Sequence, residues 1–281
     1  MDVALATCEA VRDLEKDERV FLDALKARGV EAEPAVWDDR SFDWTEPRLC
    51  LIRSVWDYYL RRDEFLAWLD SLPSSVQVWN PSDVIRWNSH KGYLRDLESR
   101  GVPIIPTEWF VPGDAPDLTA IARANGWEGL VVKPVVSAAA HRTHVFEPHA
   151  KSLAQEHLDT LLSDGEAMVQ PFMDEVHDNG ERSVIVIDGL ITHAVRKTSV
   201  FDPTFVDEPP RIEISPPEEK LAHQALEAAG FDYLYARVDM VHDEDGAPRL
   251  MELEMFEPSL YFDAAQDAAE RLADRVIVLL G

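Results

Sequence analysis

Two neighbouring segments near the carboxyl end of the chain carry charged side chains at alternate positions among apolar residues. The first reads Arg237-Val238-Asp239, the second reads Glu252-Leu253-Glu254, and the turn between them contains Asp243-Glu244-Asp245-Gly246. Because side chains alternate between the two faces of a strand, Arg237 and Asp239 share a face, and so do Glu252 and Glu254. A hairpin that puts both pairs on the same face brings three carboxylates together.

Three carboxylates this close repel one another unless a cation lies between them. Oxygen ligands at this density suit Mg²⁺, which takes a few carboxylates, keeps some water and binds substrate phosphates; Mn²⁺ accepts the same ligands. We therefore expect Asp239, Glu252 and Glu254 to bind the metal. The alternative is an acidic strand that faces solvent, since the chain has 53 acidic and only 27 basic residues.

The order of predicted elements indicates an α/β fold that continues as α+β. Before residue 80, strand-like runs alternate with helical periodicity, which is typical of a parallel sheet with helices on its faces. After residue 80, we predict a helix at 89–100, a strand at 129–134, a helix at 151–163, and hairpins that turn at Asp188-Gly189 and at 243–246. Ser215-Pro216-Pro217-Glu218 predicts the start of another helix, and a last helix is expected at 262–279. We divide the chain into residues 1–85, 86–170 and 171–281.

Two lysines are placed where phosphate would explain them. Lys91 falls in the first turn of the predicted 89–100 helix, where a cation does not stabilise the helix, and Lys133 ends an apolar strand. Ser137 and Ala138-Ala139-Ala140 follow, and such small side chains let a backbone approach a phosphate closely. The alternatives are two ordinary surface lysines and a plain turn.

The segment Gln170-Pro171-Phe172-Met173 suits an adenine ring. Proline interrupts the strand's hydrogen-bonding ladder, so backbone groups become free to bind the base, and Glu175 would accept from the ribose hydroxyls. A strand end followed by an acidic turn explains the same residues. On the next hairpin, Arg182 and Arg196 would neutralise phosphate charge, or would pair with acids on neighbouring strands.

The composition excludes several functional classes. A net charge of −26 argues against binding to nucleic acid, which needs clustered Lys and Arg. No apolar run approaches the roughly 18 residues of a membrane span, and the first residues lack the basic region of a signal peptide. We expect a cytoplasmic protein without a membrane partner. Its oligomeric state stays open, with a homodimer as one option.

In this order, the motifs resemble those of the ATP-grasp superfamily of ligases. The resemblance covers about residues 85–260, and the strand–helix alternation before it resembles the family's amino-terminal domain. The chain is most similar to the glutathione-synthetase and ribosomal-protein glutamate-ligase type. Within that type it resembles the cyclo-ligases that make the antibiotic cycloserine from O-ureido-serine, through Arg53-Ser54-Val55-Trp56-Asp57-Tyr58, Asn80-Pro81 and residues 252–259.

The resemblance implies an ATP-grasp fold in which two α+β subdomains sandwich ATP. It implies that Lys91, Lys133 and Ser137 contact phosphates, that Gln170, Phe172, Met173 and Glu175 hold the nucleoside, and that Asp239, Glu252 and Glu254 hold Mg²⁺. Arg182 and Arg237 would stabilise an acylphosphate and its tetrahedral successor. Two positions depart from the family: its Glu-x-Asn is Glu252-x-Glu254 here, and its glycine-rich loop is Ala138-Ala139-Ala140.

The substrate end is predicted to hold a small amino acid. Arg53 ends a strand at the edge where α/β sheets usually present ligands, so we expect Arg53 to bind a carboxylate and Asp57 an ammonium group. Other residues expected to face the substrate are Trp56, Tyr58, Arg196, Glu257 and Ser259. Alternatively, Trp56 and Tyr58 pack a domain interface while Arg53 and Asp57 pair with each other.

Together these features predict an ATP-dependent ligase that joins a carboxylate to nitrogen through an acylphosphate. Ring closure within one molecule is the leading interpretation, and joining two separate molecules is an alternative. A nucleotide-binding regulatory protein without turnover is a further alternative. The full set of three acids argues against the regulatory protein, because losing metal ligands is the simplest route to an inactive relative.

Overall fold

The computed structural model describes residues 1–176, 180–198 and 208–281. Its strands are β1 (Val3–Thr7), β2 (Ala32–Val36), β3 (Leu49–Ser54), β4 (Gln77–Trp79), β5 (Glu108–Phe110), β6 (Leu130–Pro134), β7 (His144–Phe146), β8 (Ala167–Pro171), β9 (Glu181–Ile187), β10 (Leu190–Lys197), β11 (Arg211–Ile212), β12 (Tyr235–His242) and β13 (Pro248–Glu254). Its α-helices are α1 (Lys16–Ala27), α2 (Arg62–Ser71), α3 (Ser82–Asn88), α4 (Tyr93–Ser99), α5 (Leu118–Asn125), α6 (Lys151–Asp164), α7 (Pro216–Ala229) and α8 (Gln266–Leu280).

The amino-terminal part is a parallel sheet in the order β2-β1-β3-β4. Its central strands β1 and β3 are buried along their whole length, which explains their continuous apolar character. One face packs against α1, and the other packs against α2 through Trp37, Phe65 and Leu69. The predicted α/β start is confirmed.

Two antiparallel sheets follow. The first has the order β5-β8-β6-β7 and packs against α5 and α6, while the second has the order β11-β10-β9-β12-β13 and packs against α7. Both predicted hairpins form. The β9–β10 turn places Asp188 at φ 50° and Gly189 at φ 75°, the left-handed conformations that a two-residue hairpin of this kind requires.

One helical prediction differs from the structure. The segment predicted as one helix at 89–100 is a turn followed by α4, which begins only at Tyr93. The predicted last helix forms as α8, which packs against α1 and also contacts β9, where Arg271 donates to the Ile187 carbonyl. Its buried stripe, which includes Leu272 and Val276, meets Phe21 and Leu25 and ties the two ends of the chain together.

Strand β13 lies at the edge of its sheet, and its outer backbone groups are capped by side chains from the α3–α4 region. Asn88 donates to the Leu253 carbonyl and accepts from the Met255 amide, both at 2.7 Å, and the Tyr93 hydroxyl accepts from the Leu253 amide at 3.0 Å. These bonds satisfy groups that an edge strand would otherwise leave open. They also fix the strand that carries Glu252 and Glu254. Within the described residues, no helix has the length and apolar character needed to cross a membrane.

Candidate active site

A cavity of about 550 Å³ opens between the two antiparallel sheets and borders the amino-terminal part. Most of the residues selected from the sequence line it: Trp56, Lys91, Lys133, Ser137, Gln170, Phe172, Met173, Arg237, Asp239, Glu252, Glu254, Glu257 and Ser259. These residues come from segments far apart in sequence, so they lie close together only in the folded protein. This cavity is the candidate active site.

The register of the β12–β13 hairpin confirms that the three acids share a face. Arg237 lies opposite Glu254, and Asp239 lies opposite Glu252, so all four side chains point to the same side of the sheet. On the other neighbour of β12, Asp239 lies opposite Ser183, whose hydroxyl donates to the Asp239 carboxylate at 2.6 Å. The apolar residues between them, such as Val238 and Leu253, pack into the core on the opposite face.

Each of these acids is paired with a cation that also lines the cavity. Arg237 donates to Asp239 at 2.8 Å and to Glu254, and Lys197 donates to Asp239 at 3.1 Å. Lys91 forms an ion pair with Glu252. The acids are therefore neutralised by side chains in this structure, and a metal–nucleotide complex would bind by exchanging partners with these pairs.

The pairing sets the direction of each acid's pKa. Burial works against ionisation of Asp239 and Glu252, yet Arg237 and Lys197 outweigh it at Asp239, and Lys91 and Lys133 outweigh it at Glu252, so both pKa values are lowered. At Glu254 burial prevails, and the pKa rises to about 7 despite Arg237. Asp239 and Glu252 thus remain anionic at neutral pH.

The donor chemistry of these residues fits a magnesium ion. Carboxylate oxygens on one face of a sheet, beside a cavity with cations for phosphates, are the ligands that Mg²⁺ takes in nucleotide sites. Among residues 1–176, 180–198 and 208–281, no three acidic, histidine or cysteine side chains already surround a metal position. The geometry therefore agrees with a site completed when the cations release the carboxylates.

The predicted phosphate end of the cavity contains the two lysines and the small-residue loop. Lys91 is not in a helix, since it lies in the turn between α3 and α4, where its amide donates to the Val135 carbonyl at 2.9 Å. Burial lowers the pKa of Lys133 to about 8, against the attraction of Glu252. In the loop, Ala139 and Ala140 have φ values of 49° and 53°, a left-handed conformation uncommon for alanine that is often found at functional sites.

The predicted nucleoside end is partly formed. Gln170 is buried and donates to the Thr107 hydroxyl at 3.0 Å, and Phe172 and Met173 line the cavity beside Val131. Glu175 is not among the cavity-lining residues, so the structure does not bring it to the pocket as the ribose prediction requires. It follows the hinge just before residues 177–179, which lie outside the described residues.

The placement of Arg182 and Arg196 in the site is wrong, because strand alternation turns both away from the cavity. Arg182 forms an ion pair with Glu218 of α7, and Arg196, opposite it on β10, is exposed. Their neighbours Glu181 and Lys197 occupy the cavity face, and they form an ion pair with each other. Counting the alternation of side chains from Ser183, which lies opposite Asp239, places Glu181 on the cavity face of β9. Lys197 lies opposite Glu181 on β10 and therefore shares that face.

The predicted contact of Arg53 with substrate is also wrong. Its guanidinium is completely buried, pairs with Glu18 at 2.5 Å, donates to the Pro258 carbonyl at 2.9 Å and lies over the Tyr235 ring. A side chain committed in this way cannot reach the cavity. Asp57 pairs with Arg61 and accepts from the Trp37 indole, so the alternative of an Arg53–Asp57 pair is wrong as well.

The two aromatic residues of the same segment behave differently. Tyr58 packs against the Phe65 and Phe256 rings in the core between the parts of the fold, as the packing alternative predicted. Trp56 lines the cavity, and its indole donates to the Glu257 carbonyl at 2.9 Å. Glu257, Ser259 and Tyr261 line the same end of the cavity, close to Arg237, which donates to the Ser259 carbonyl at 3.2 Å.

Comparison with known proteins gives consistent matches. The family model of the amino-terminal domain of D-cycloserine synthetase DcsG matches residues 3–80. The cycloserine biosynthesis protein DcsG of Streptomyces lavendulae is 30% identical over 290 residues, and the alignment covers 96% of each chain. The crystal structure of D-cycloserine synthetase DcsG matches with a TM-score of 0.92 and 28% identity, over 100% of both chains.

A more distant structure shares the fold. D-alanine–D-alanine ligase from Bacillus anthracis, solved in complex with ATP, matches with a TM-score of 0.68 and 16% identity, over 100% of this chain and 96% of that one. At this identity the likeness concerns the fold alone. It nevertheless confirms that the arrangement of sheets described above is one that occurs in ATP-grasp enzymes.

Proposed function

The chain belongs to the ATP-grasp ligases, in the group of the cycloserine synthetase DcsG, and from this we propose that it closes a ring within a small amino acid at the expense of ATP. The proposed substrate is O-ureido-serine, and the proposed product is cycloserine. The observation that carries the proposal is the cavity itself, where three acids on one sheet face oppose the buried Lys91 and Lys133. We further propose that the enzyme works in the cytoplasm, where ATP is available.

The cavity residues divide the work of binding ATP. The adenine would lie between the apolar side chains of Val131, Phe172 and Met173, and Lys91 and Lys133 would bind the phosphates. Asp239, Glu252 and Glu254 would hold Mg²⁺, which neutralises charge on the β- and γ-phosphates when bound. The lowered pKa of Lys133 comes from its burial, and an anionic phosphate beside it would favour its protonated form.

The proposed reaction has three steps. First, an oxygen of the substrate carboxylate attacks the γ-phosphorus, ADP leaves, and an acylphosphate forms. Second, the side-chain nitrogen that is bonded to oxygen attacks the acyl carbon, phosphate leaves, and this nitrogen loses its proton, which closes the ring. Third, water attacks the carbamoyl group that the ring nitrogen still carries, the bond between them breaks, the ring nitrogen takes up a proton, and the released carbamate breaks down to carbon dioxide and ammonia, which leaves cycloserine. Catalysis here consists mainly of positioning and charge neutralisation. Arg237, which also donates to the Ser259 carbonyl, would stabilise the negative charge that develops on the acyl oxygen.

The acylphosphate must be protected from water until the nitrogen attacks. The cavity is bounded by the 137–143 loop, whose His141 packs on Tyr59 of the amino-terminal part with ring centroids 4.8 Å apart. This contact holds the loop beside the phosphate lysines. A loop held over the phosphates excludes water from the intermediate.

The test is incubation of the protein with ATP, Mg²⁺ and each enantiomer of O-ureido-serine, with serine and alanine as comparison substrates. We expect ADP and phosphate to form together with cycloserine from one enantiomer, and Glu252→Gln to abolish turnover while the protein stays folded. Phosphate release that no member of the panel stimulates, in a protein that binds ATP normally, would contradict the proposal.

A further inference from the structure

Among the described residues that line the cavity, one buried acidic side chain has no ion-pair partner. The described lining residues include four basic side chains, Lys91, Lys133, Lys197 and Arg237, and six acidic ones, Glu15, Glu181, Asp239, Glu252, Glu254 and Glu257. Four of the acids form ion pairs with those cations. Of the remaining two, Glu15 is exposed at the cavity mouth, whereas Glu257 is only 8% exposed.

The Glu257 carboxylate is therefore both buried and unpartnered. Within the described residues, no side chain or backbone group donates a hydrogen bond to it, and no cation lies within ion-pair distance. Burial, together with the nearby Glu254, raises its pKa well above the usual value. A buried carboxylate without a partner is costly, and such groups are common at sites where a ligand supplies the missing charge.

The backbone around Glu257 is held rigidly by the amino-terminal part. Trp56 donates to the Glu257 carbonyl at 2.9 Å, and the buried Arg53 donates to the next carbonyl, that of Pro258, also at 2.9 Å. Asn80 donates to the Met255 carbonyl just before. Three donors from outside the segment thus fix the backbone that carries the Glu257 side chain, which is the arrangement expected of a binding group.

The position of Glu257 relative to Arg237 suggests what it binds. Arg237 bonds Asp239 and Glu254 on one side and the Ser259 carbonyl on the other, so its guanidinium lies between the metal acids and the 257–259 segment. In an α-amino acid, the ammonium and carboxylate groups are both attached to the α-carbon. A substrate whose carboxylate lies at Arg237 can therefore present its ammonium group to the neighbouring Glu257.

We propose that Glu257 binds the α-ammonium group of the substrate and restricts the enzyme to free amino acids. This assignment rests on the proposed function. It identifies Glu257 as the residue that distinguishes the amino-acid substrate from other carboxylic acids. An acid that lacks the amine would leave Glu257 buried and uncompensated, so it binds poorly. The same holds for an amine acylated in a peptide, which carries no charge.

The test compares O-ureido-serine with the analogue that has hydrogen in place of the α-amino group. The analogue keeps the carboxylate, so it still accepts phosphate from ATP. We expect the wild-type enzyme to favour the amino acid by at least about 30-fold in kcat/KM for ADP formation. In Glu257→Gln this ratio should fall to within about threefold, through a loss on the amino acid alone, with KM for ATP and the Mg²⁺ requirement unchanged.

Two controls keep the test decisive. The first is Glu15→Gln, which removes the other acid without an ion pair and should retain the wild-type ratio. The second is calorimetry without turnover: the complex of the protein with Mg²⁺ and a non-hydrolysable ATP analogue should bind the amino acid in preference to the analogue that lacks the amine. Should Glu257→Gln lose its fold, Glu257→Asp, which keeps the charge on a shorter side chain, should retain a preference for the amine.

Different outcomes overturn different claims. An unchanged ratio in Glu257→Gln, a ratio lost in Glu15→Gln instead, or a Glu257→Gln enzyme whose main defect is a raised Mg²⁺ requirement would each refute the assignment of Glu257. A wild-type enzyme that binds O-ureido-serine without releasing phosphate would instead refute the proposed function. Failure of the wild-type complex to bind O-ureido-serine at all would refute both.

Discussion

At the scale of single residues, the site is a set of exchangeable ion pairs. Lys91 and Glu252, and Arg237 with Asp239 and Glu254, neutralise one another in the absence of ligands. Removing one member of a buried pair leaves an uncompensated charge, so such changes cost more than the pair itself contributes. Substitutions of the paired cavity residues should therefore have larger effects than substitutions of their neighbours on the same strands.

The adjacent residues Arg196 and Lys197 provide a matched pair for testing which face of β10 is functional. Lys197→Met should lower kcat/KM at least about tenfold, because the cavity loses a cation and both Glu181 and Asp239 lose a partner. Arg196→Met, on the exposed face, should change the free energy of unfolding by no more than about 0.5 kcal/mol and leave turnover near wild type. Steady-state kinetics checks both, and comparable losses in the two variants would be inconsistent with the observed register.

Arg53 is expected to act on stability and not on substrate contact. Arg53→Ala leaves Glu18 buried without its partner, so the free energy of unfolding should fall by about 3–5 kcal/mol in denaturant titrations. The double variant Glu18→Gln/Arg53→Met removes both charges of this buried pair and should recover part of the loss. A fully stable Arg53→Ala protein with only a raised KM for the amino acid would restore the role predicted from sequence.

At the scale of elements, the sequence predicts which face of a strand lines the cavity where charged residues alternate with apolar ones. It does not predict that face where charged residues are adjacent. The β12–β13 hairpin was predicted with its face correct, because Asp239, Glu252 and Glu254 stand out from apolar neighbours. On β9 and β10 charged residues occur side by side, so Arg182 and Glu181 were equally plausible, and a shift of one residue reverses every side chain. Only the pairing of Ser183 with Asp239 decides between them.

The partners of Arg53 show a second limit. Its position at a strand end near aromatic residues suggested a ligand, yet Glu18 lies 35 residues earlier and Pro258 lies 205 residues later. The local sequence pattern does not indicate contacts between residues so far apart along the chain. The same applies to Asn88 and Tyr93, which cap the edge of β13 from a turn and a helix of the preceding part.

Strand β10 also carries a buried histidine that predicts a pH dependence of stability. His193 bonds the Leu260 carbonyl at 3.0 Å and the Thr192 hydroxyl at 2.9 Å, and burial lowers its pKa to about 4 from 6.5. Since the unfolded chain binds this proton more readily, its contribution is complete above pH 6.5 and is lost as the pH falls from 6.5 towards 4. The gap corresponds to about 3 kcal/mol at 1.36 kcal/mol per pKa unit.

Denaturant titrations between pH 4.5 and 7.5 measure this effect. His193→Gln keeps a donor and an acceptor but does not titrate, so its free energy of unfolding should fall less steeply as the pH decreases. The half-buried His223 of α7, replaced in the same way, serves as the control and should follow the wild type. Equal slopes in the His193→Gln and wild-type proteins would show that the buried imidazole does not contribute.

At the scale of the whole molecule, the cavity lies where three parts of the fold meet. The antiparallel sheets supply most of the residues that we propose bind phosphate and metal, and the amino-terminal part fixes the 255–259 segment through Asn80, Trp56 and Arg53. The long-range contacts of α8 with α1 close the structure around this junction. A bound nucleotide should therefore stabilise the entire chain and not one part of it.

Thermal unfolding tests this coupling. Mg²⁺ and an ATP analogue at 100 times Kd should stabilise the protein by about 2.7 kcal/mol, and chelation of the metal should remove most of the gain. Glu252→Gln should reduce the gain, whereas Glu213→Gln, an exposed acid outside the cavity, should not. A nucleotide that stabilises equally well in the presence of a chelator would argue against the acidic face as the metal site.

The most direct measurement follows the oxygen atoms of the substrate carboxylate. With O-ureido-serine labelled by ¹⁸O in that carboxylate, attack on the γ-phosphorus requires one labelled oxygen to leave in each phosphate released. We predict phosphate that contains one ¹⁸O atom per molecule of cycloserine formed. Phosphate without the label, formed at the same rate as cycloserine, would contradict carboxylate activation in this cavity.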